Sequence, residues 1–346
     1  MKIKTIIAIL ATLVAFTSCN KNPYHKDVSD IAVNVSIAPF YIDVQNFEKN
    51  PSPQNLAKMR QEYGTFFDIF LSDLQRNSMY SDTSKIAVLT KFMQDEWTKE
   101  LYKMSDSTYK ANEDMLSKKI KNAFQYYKFY FPNKEIPKLY AFITGVNYSM
   151  AIDSNVIAIG IDKYLGPECS IYKSMNMESY IKRNMYIEKL PTDLMRALAE
   201  NTFPNSFGEN YLLANMIQCG RYQYFMKCML PDEPDTVLWG FTGKQLEFCQ
   251  KSEGEFWKYL ISTKAENTQT SGTILFSTDY MLQKRFLDDG PFTTVFSKES
   301  PARVGQWIGF KIVESFMKNN PEVTLNDLFA ISSSKEIMSK AKYNPK

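Results

Sequence analysis

Apolar residues recur with two different periods along the first third of the chain. Residues 31–37 alternate apolar with small or polar side chains, which is the pattern of a half-buried strand. Ser52 followed by Pro53 is typical of a helix start, because serine caps the first turn and proline fits the first helical position. Between 56 and 74, apolar and aromatic residues recur every three or four positions, which predicts a helix with an inward aromatic face. The same spacing predicts further helices over 84–104 and 108–130.

The pattern changes after Pro137. Short β-prone runs cover residues 138–144, 148–152 and 156–161. Asp153, Ser154 and Asn155 separate the last two runs as a tight hairpin turn does. We therefore predict a small antiparallel sheet in the middle of the chain.

Helical patterns return from Pro191 onward. Reciprocal capping is predicted for three pairs, namely Thr242 with Gln245, Ser252 with Glu255, and Ser333 with Glu336. Ser300 followed by Pro301 predicts another helix start. Within that helix Gly305 and Gly309 lie one turn apart, which lets a neighbouring helix approach closely. Together these patterns predict one α+β domain over residues 31–346, mostly helical, with the small sheet inside it.

The N-terminus has the pattern of a secretory signal. Lys2 and Lys4 precede an apolar run over residues 5–16, which is shorter than the roughly 20 residues that a membrane-spanning helix needs. Small residues then lead to Cys19, an arrangement that resembles a bacterial lipoprotein signal. This resemblance implies a signal peptide over 1–18, acylation of Cys19 with chains such as palmitate, and a polar lipid-attached tether over 19–30. An ordinary signal peptide cut elsewhere, with Cys19 incidental, is the alternative.

The residues that follow Cys19 bear on the location. Residues 20–27 lack the acidic cluster that often marks export to the cell surface, so we expect the periplasmic face of the outer membrane. No later segment has an apolar run long enough to span a membrane. The membrane is then a partner only through the lipid.

Charge and histidine content restrict the chemistry. The chain has 41 basic and 38 acidic residues, and removing 1–18 takes away Lys2 and Lys4, which leaves 39 against 38 and indicates no nucleic-acid partner. The only histidine is His25, in the tether. A Ser-His-Asp triad, a Cys-His dyad and a two-histidine metal site are therefore excluded by count. We expect no metal and no cofactor.

Cysteines 169, 219, 228 and 249 remain in a compartment that permits disulfides. Cys219 and Cys228 fall in one predicted helix, and nine residues mean about 900° of rotation and about 13 Å of rise, so they face opposite sides. They cannot pair with each other. No CxxC spacing occurs, so buried reduced thiols are the simpler interpretation, and other disulfides stay open.

Four segments carry a resemblance to a known family. They are Ile159-Gly160-Ile161-Asp162-Lys163-Tyr164-Leu165-Gly166, residues 216–225, residues 240–249 and residues 300–309. With the lipid signal, these segments resemble the GldB family of gliding-motility lipoproteins of Bacteroidetes. The resemblance runs over nearly the whole mature body. It implies a component of an envelope assembly for motility or secretion.

The family is similar in layout to zinc peptidases that carry an HExxH helix, which is called a zincin-like layout. In such enzymes two histidines one turn apart bind zinc, and the glutamate between them is the general base. The resemblance sets Met195, Arg196 and Ala199 at those three positions, and none of them can perform zinc chemistry. A degenerate, non-catalytic protein is therefore expected. An ordinary core helix with no peptidase history is the alternative.

Several residues are candidates for a cleft or a partner-binding site. Arg303, predicted in the first turn after Ser300, and nearby Trp307 suit a site that holds a carboxylate or a peptide terminus. Arg221 and Tyr224 suit a polar anchor in a pocket. For all four residues, ion pairs and core packing are the simpler interpretation.

Four acidic residues suit a different chemistry. A glycoside hydrolase needs two carboxyl groups roughly 5 to 9.5 Å apart, and the candidates are Asp153, Asp162, Asp193 and Glu200.

The sequence as a whole leads to three functional hypotheses. The first is a non-catalytic scaffold or binding lipoprotein of an envelope assembly, and it is preferred. The others are a periplasmic hydrolase that uses carboxylates and a lipoprotein that binds a peptide or glycan.

Overall fold

The computed structural model describes residues 22–77, 84–264 and 272–346. The predicted signal peptide and Cys19 lie outside these ranges. Within them, helices surround one small sheet, which confirms the α+β class. The strands are β1 (Ile37–Ala38), β2 (Lys138–Phe142), β3 (Met150–Asp153) and β4 (Val156–Gly160).

The helices before β2 cover most of the first third of the chain. They are α1 (Phe40–Lys49), α2 (Pro53–Tyr63), α3 (Thr65–Asn77), α4 (Lys85–Gln94), α5 (Glu96–Ala111) and α6 (Glu113–Tyr130). Ser52 caps α2 as predicted, because its side chain accepts a hydrogen bond from the Asn55 amide at 3.2 Å. The predicted helix over 56–74 is two helices, since Gly64 adopts a left-handed φ of 58° between them. Asp95 likewise ends α4 and caps α5.

The helices after β4 complete the domain. They are α7 (Ser170–Ser174), α8 (Ser179–Lys182), α9 (Leu190–Thr202), α10 (Leu212–Met229), α11 (Asp235–Trp239), α12 (Gly243–Lys251), α13 (Glu253–Ser262), α14 (Tyr280–Leu287), α15 (Val304–Asn319), α16 (Leu325–Ala330) and α17 (Ser334–Ala341). None of the helices in the described ranges is both long and apolar enough to cross a bilayer.

The sheet has the strand order β1-β2-β4-β3 and is mixed. β2 is parallel to both β1 and β4, and only β3 with β4 is antiparallel. The predicted antiparallel pairing is therefore confirmed for β3 with β4 and wrong for β2 with β4. The chain passes from β2 to the edge strand β3 first, and the hairpin then returns β4 between them. The predicted strand over 31–37 is reduced to β1, where Ile37 pairs with Leu139.

The sheet lies between two helical layers. On one face, the rings of Tyr140 and Phe142 contact the ring of Phe66 on α3, with centroids 5.3 Å and 5.6 Å apart. On the other face, Ile157 and Ile159 are fully buried, and α9 packs against β3 and β4. Strands β2 and β4 are therefore covered on both faces, while β3 forms an open edge.

Helices α10 and α15 form the closest helix pair of the core. Gly220 and Gly309 face each other, and Gly309 also lies against the main-chain carbonyl of Met216. The predicted close approach at Gly309 is confirmed. Gly305 instead lies against Phe286 of α14.

The predicted helix start at Ser300 and Pro301 was wrong. Helix α15 begins at Val304, after Arg303 in a left-handed conformation with φ 63°, and not at Ser300. The carbonyl of Pro301 accepts hydrogen bonds from the amide and the hydroxyl of Thr293, so it is not available to a helix.

The capping predictions had mixed outcomes. Thr242 and Gln245 form the predicted capping box. Ser252 and Ser333 make no side-chain cap, and the Ser333 hydroxyl instead donates to Glu209 at 3.4 Å. Sequence spacing alone did not reveal this competing partner.

The segment expected to be a tether packs on the body from its first described residue. The Asn22 amide donates to the carbonyl of Pro231 at 2.8 Å, and the Tyr24 hydroxyl donates to Glu314 at 2.8 Å. Tyr24 and Val28 are buried. The docked segment runs along α6, where the Tyr126 hydroxyl donates to the carbonyl of Lys26 at 2.9 Å.

Candidate functional site

An apolar cavity of about 350 Å³ opens at the end of β2, between α3, α5 and the loop over residues 143–149. Its walls are mainly apolar, and six of the fifteen described lining residues are aromatic. The aromatic lining residues are Phe66, Phe70, Phe92, Trp97, Phe142 and Tyr148. A site of this size with a few polar groups among apolar walls is the usual form of a ligand pocket.

The loop over 143–149 is held in place by Asp162. One carboxylate oxygen of Asp162 accepts hydrogen bonds from the amides of Thr144 at 2.9 Å and Val146 at 2.6 Å. Gly145 and Val146 both adopt left-handed φ values, 75° and 64°, which is costly for a β-branched residue. The buried carboxylate compensates that cost by binding two amides, so it fixes the wall of the cavity.

Asp162 is fully buried, and this burial raises the pKa of its carboxyl group to about 6. The hydrogen bonds from Val146 and Thr144 act in the opposite direction, because they favour the charged form. Burial therefore causes the raised pKa of Asp162, and the hydrogen bonds to the two loop amides reduce its size.

The other three predicted carboxylates have separate partners. Asp193 accepts a hydrogen bond from the Tyr164 hydroxyl at 2.9 Å, Glu200 pairs with Arg196, and Asp153 accepts from the Thr65 hydroxyl. Among the described residues, no two of the four carboxylates share a hydrogen-bond donor. Each of the four carboxylates is therefore engaged in a contact of its own.

Arg303 and Trp307 lie at the C-terminal end of α11. The Arg303 guanidinium donates to the carbonyl of Trp239 at 2.9 Å, and its Nε lies 3.6 Å from a carboxylate oxygen of Asp289. Burial lowers the pKa of Arg303. The Trp307 ring is buried with its centroid 5.1 Å from that of Trp239.

Two further cationic side chains, which the sequence analysis did not select, donate hydrogen bonds to carbonyls at the C-terminal end of α11. Lys189 donates to the carbonyl of Val237 at 2.7 Å, and Arg183 donates to that of Gly240 at 3.3 Å. Cations stabilise the free carbonyls at a helix C-terminus. The left-handed Gly240 was the sequence signal for that terminus. Arg303 is therefore part of a structural cap on α11.

Arg221 is fully buried, and its guanidinium donates to the carbonyl of Ile331 at 2.6 Å. The guanidinium carbon of Arg221 also lies 3.9 Å from the ring centroid of Phe207. Burial lowers its pKa to about 10, so it stays charged near neutral pH. Tyr224, three residues on, packs its ring 5.5 Å from that of Tyr24. These two candidates therefore hold neighbouring segments and do not line the aromatic cavity.

The four described cysteines are free. Cys169, Cys228 and Cys249 are buried, and burial raises the pKa of the Cys228 thiol to about 12. A buried thiol is a poor nucleophile, so these residues act as small core side chains.

The profile of the family described as gliding motility protein GldB matches residues 21–345. The chain belongs to the GldB family. This confirms the resemblance and identifies a gliding-motility-related lipoprotein of the cell envelope. Neither the curated proteins nor the solved structures contain a match.

The three positions compared with HExxH lie on α9 of this GldB-family chain. Met195 and Ala199 are fully buried, and Arg196 lies over the Tyr222 ring with its guanidinium carbon 5.2 Å from the centroid. All three side chains thus pack within the domain. Within the described ranges, no group of three or more His, Cys, Asp or Glu residues is placed to hold a metal ion. The zincin-like layout stays a prediction.

Sequence reasoning missed the aromatic cavity. The aromatic residues of α3 were assigned to the core from their spacing, and most of them are indeed buried. Ile69 and Tyr148, however, are 39% and 42% exposed at the cavity. Gly145 directly after a strand run was the available signal, because it indicates a sharp change of chain direction beside Trp97.

Proposed function

We propose that this GldB-family chain is a non-catalytic binding component of an envelope assembly related to gliding or secretion. Acylated Cys19 attaches it to the periplasmic face of the outer membrane. The aromatic cavity beside β3 contacts the partner. The family membership supports the assembly, and the signal pattern around Cys19 supports the anchor.

One observation carries the binding role. The aromatic cavity is open, whereas the residues considered for catalysis are engaged in structural contacts elsewhere. Asp162 holds the cavity loop, Asp193 accepts from Tyr164, and Glu200 pairs with Arg196. A binding site needs shape and a few placed polar groups, which the cavity offers.

The test is complementation of a deletion strain. Single changes Asp153→Asn, Asp193→Asn and Glu200→Gln should preserve function, because each is nearly isosteric and removes only charge. True acid or base groups would each lower turnover by roughly 10²-fold or more. If one change silences function while abundance, melting temperature and partner capture stay normal, a carboxylate hydrolase replaces the binding role.

A further inference from the structure

Strand β3 presents free main-chain groups at the edge of the sheet. The Gly160 amide donates to the carbonyl of Ser149 at 2.9 Å, and Ala151 is the partner of Ala158. Hydrogen-bonded pairs alternate along an antiparallel ladder, so the amides and carbonyls of Met150 and Ile152 point away from β4. Within the described ranges, no strand lies on that side of β3. Such an edge is a template for one more strand.

The open edge and the aromatic cavity adjoin each other. Ala151 of β3 and Tyr148 just before it both line the cavity. Ile152 is 41% exposed on the opposite face of the strand. A segment paired with β3 would place alternate side chains, about 6.8 Å apart, on the cavity face. One apolar side chain of that segment is then positioned to enter the cavity.

Among the described residues that line the cavity, the charged side chains are Asp73 and Asp95, and neither lysine nor arginine is present. Asp95 is fixed in place, since its carboxylate caps α5 by accepting from the Thr98 amide at 2.8 Å. A basic residue beside the apolar anchor complements these charges.

We propose that β3 binds an extended polypeptide segment of a partner protein, which pairs with the main chain of Met150 and Ile152. The segment inserts one apolar side chain into the aromatic cavity and places an adjacent lysine or arginine near Asp95. This proposal rests on the proposed binding function and names the class of partner.

Two pairs of variants separate main-chain pairing from folding. Ile152→Pro removes the outward amide and leaves the ladder with β4 intact, because the lost donor does not point to β4. Ile152→Thr is its control, since it keeps the amide and the β-branched shape. Ala151→Leu fills the cavity, and Ala151→Ser is its near-isosteric control. Asp95→Asn removes charge while asparagine still caps α5.

The probe is a labelled octapeptide of alternating threonine and valine with a central phenylalanine followed by lysine, and its binding to the full mature chain is measured by fluorescence anisotropy. We expect Ile152→Pro and Ala151→Leu to weaken binding about ten-fold or more, and both controls to stay within about three-fold. Asp95→Asn, or glutamate in place of the peptide lysine, should weaken binding by about two- to five-fold. Equal affinity for the variant and its control, or no binding by the wild type, overturns the proposal.

Partner capture in native membranes distinguishes this proposal from the proposed function. If Ile152→Pro and Ala151→Leu still capture the same partner and complement the deletion strain, the β3 site is wrong while the binding role stands. Loss of both in these variants, with both retained in the controls, supports the β3 site. Loss of function in the carboxylate variants described above overturns the binding role itself.

Discussion

Gly309 lies against the main-chain carbonyl of Met216 with no room for a Cβ between helices α15 and α10. Gly309→Ala must therefore separate the two helices or distort them. We expect it to lower the free energy of unfolding by about 1–3 kcal/mol or more, measured by denaturant titration.

Gly243→Ala is the matched control for this prediction. Gly243 is the first residue of α12, and nothing lies within 4 Å of a Cβ built on it. Alanine there should leave stability unchanged or raise it by up to about 1 kcal/mol. Equal effects of the two substitutions would show that the helix contact at Gly309 is not tight.

Asp162 gives a pH dependence with a definite sign. Its folded-state pKa of about 6 is above the ordinary value of 3.8, so the folded state binds more protons between these values. Stability from this group is present at low pH and is lost as pH rises through about 6. Relative to Asp162→Asn, the wild type should therefore gain about 1–3 kcal/mol as pH falls from about 7.5 to about 4.5. Parallel stability curves for the two proteins would contradict the assignment.

The contacts of Asp162 show which parts of the fold and of the candidate site could be predicted from the sequence. Local periodicity predicted the helical segments because burial of one face follows from residue spacing, but it did not predict the breaks at Gly64 and Asp95. The parallel pairing of β2 with β4 depends on a return path between two strands, which no local pattern encodes. Asp162 was selected as a carboxylate, but its partners, the amides of Thr144 and Val146, become neighbours only when the loop folds. The predicted position of Arg303 inside the first turn of the helix was wrong for a similar reason. The helix begins only after Arg303, because the carbonyl of Pro301 accepts a hydrogen bond from Thr293, a contact that residue spacing does not show.

The lipid anchor leads to a prediction at Cys19. Cys19→Ser should abolish labelling by a fatty-acid probe and release the protein from the membrane fraction, because serine offers no thiol for acylation. Two or more acyl chains are needed for stable attachment. Persistent labelling of the variant would refute the lipoprotein assignment at this residue. Labelling of a Cys249→Ser variant, whose thiol is buried, serves as the control.

Metal content provides a further test. His25 is exposed, and its Nε2 lies 3.9 Å from a carboxylate oxygen of Asp232. One histidine with one carboxylate is too few ligands for a structural zinc site, which takes four. The purified mature chain should contain zinc well below one equivalent, and a strong chelator should leave its melting temperature unchanged. Near-stoichiometric zinc together with a fall in melting temperature on chelation would reveal ligands of another kind.

The docking of Asn22 on the carbonyl of Pro231 limits how far the domain can stand from the bilayer. Three residue steps join Cys19 to Asn22, and a fully extended chain covers about 11 Å over that distance. With the lipid on Cys19, this short connection keeps the domain close to the bilayer surface. The docked segment from Asn22 to Tyr24 would then stay near the acylated residue. A partner in the envelope would meet this protein within one narrow layer above the membrane.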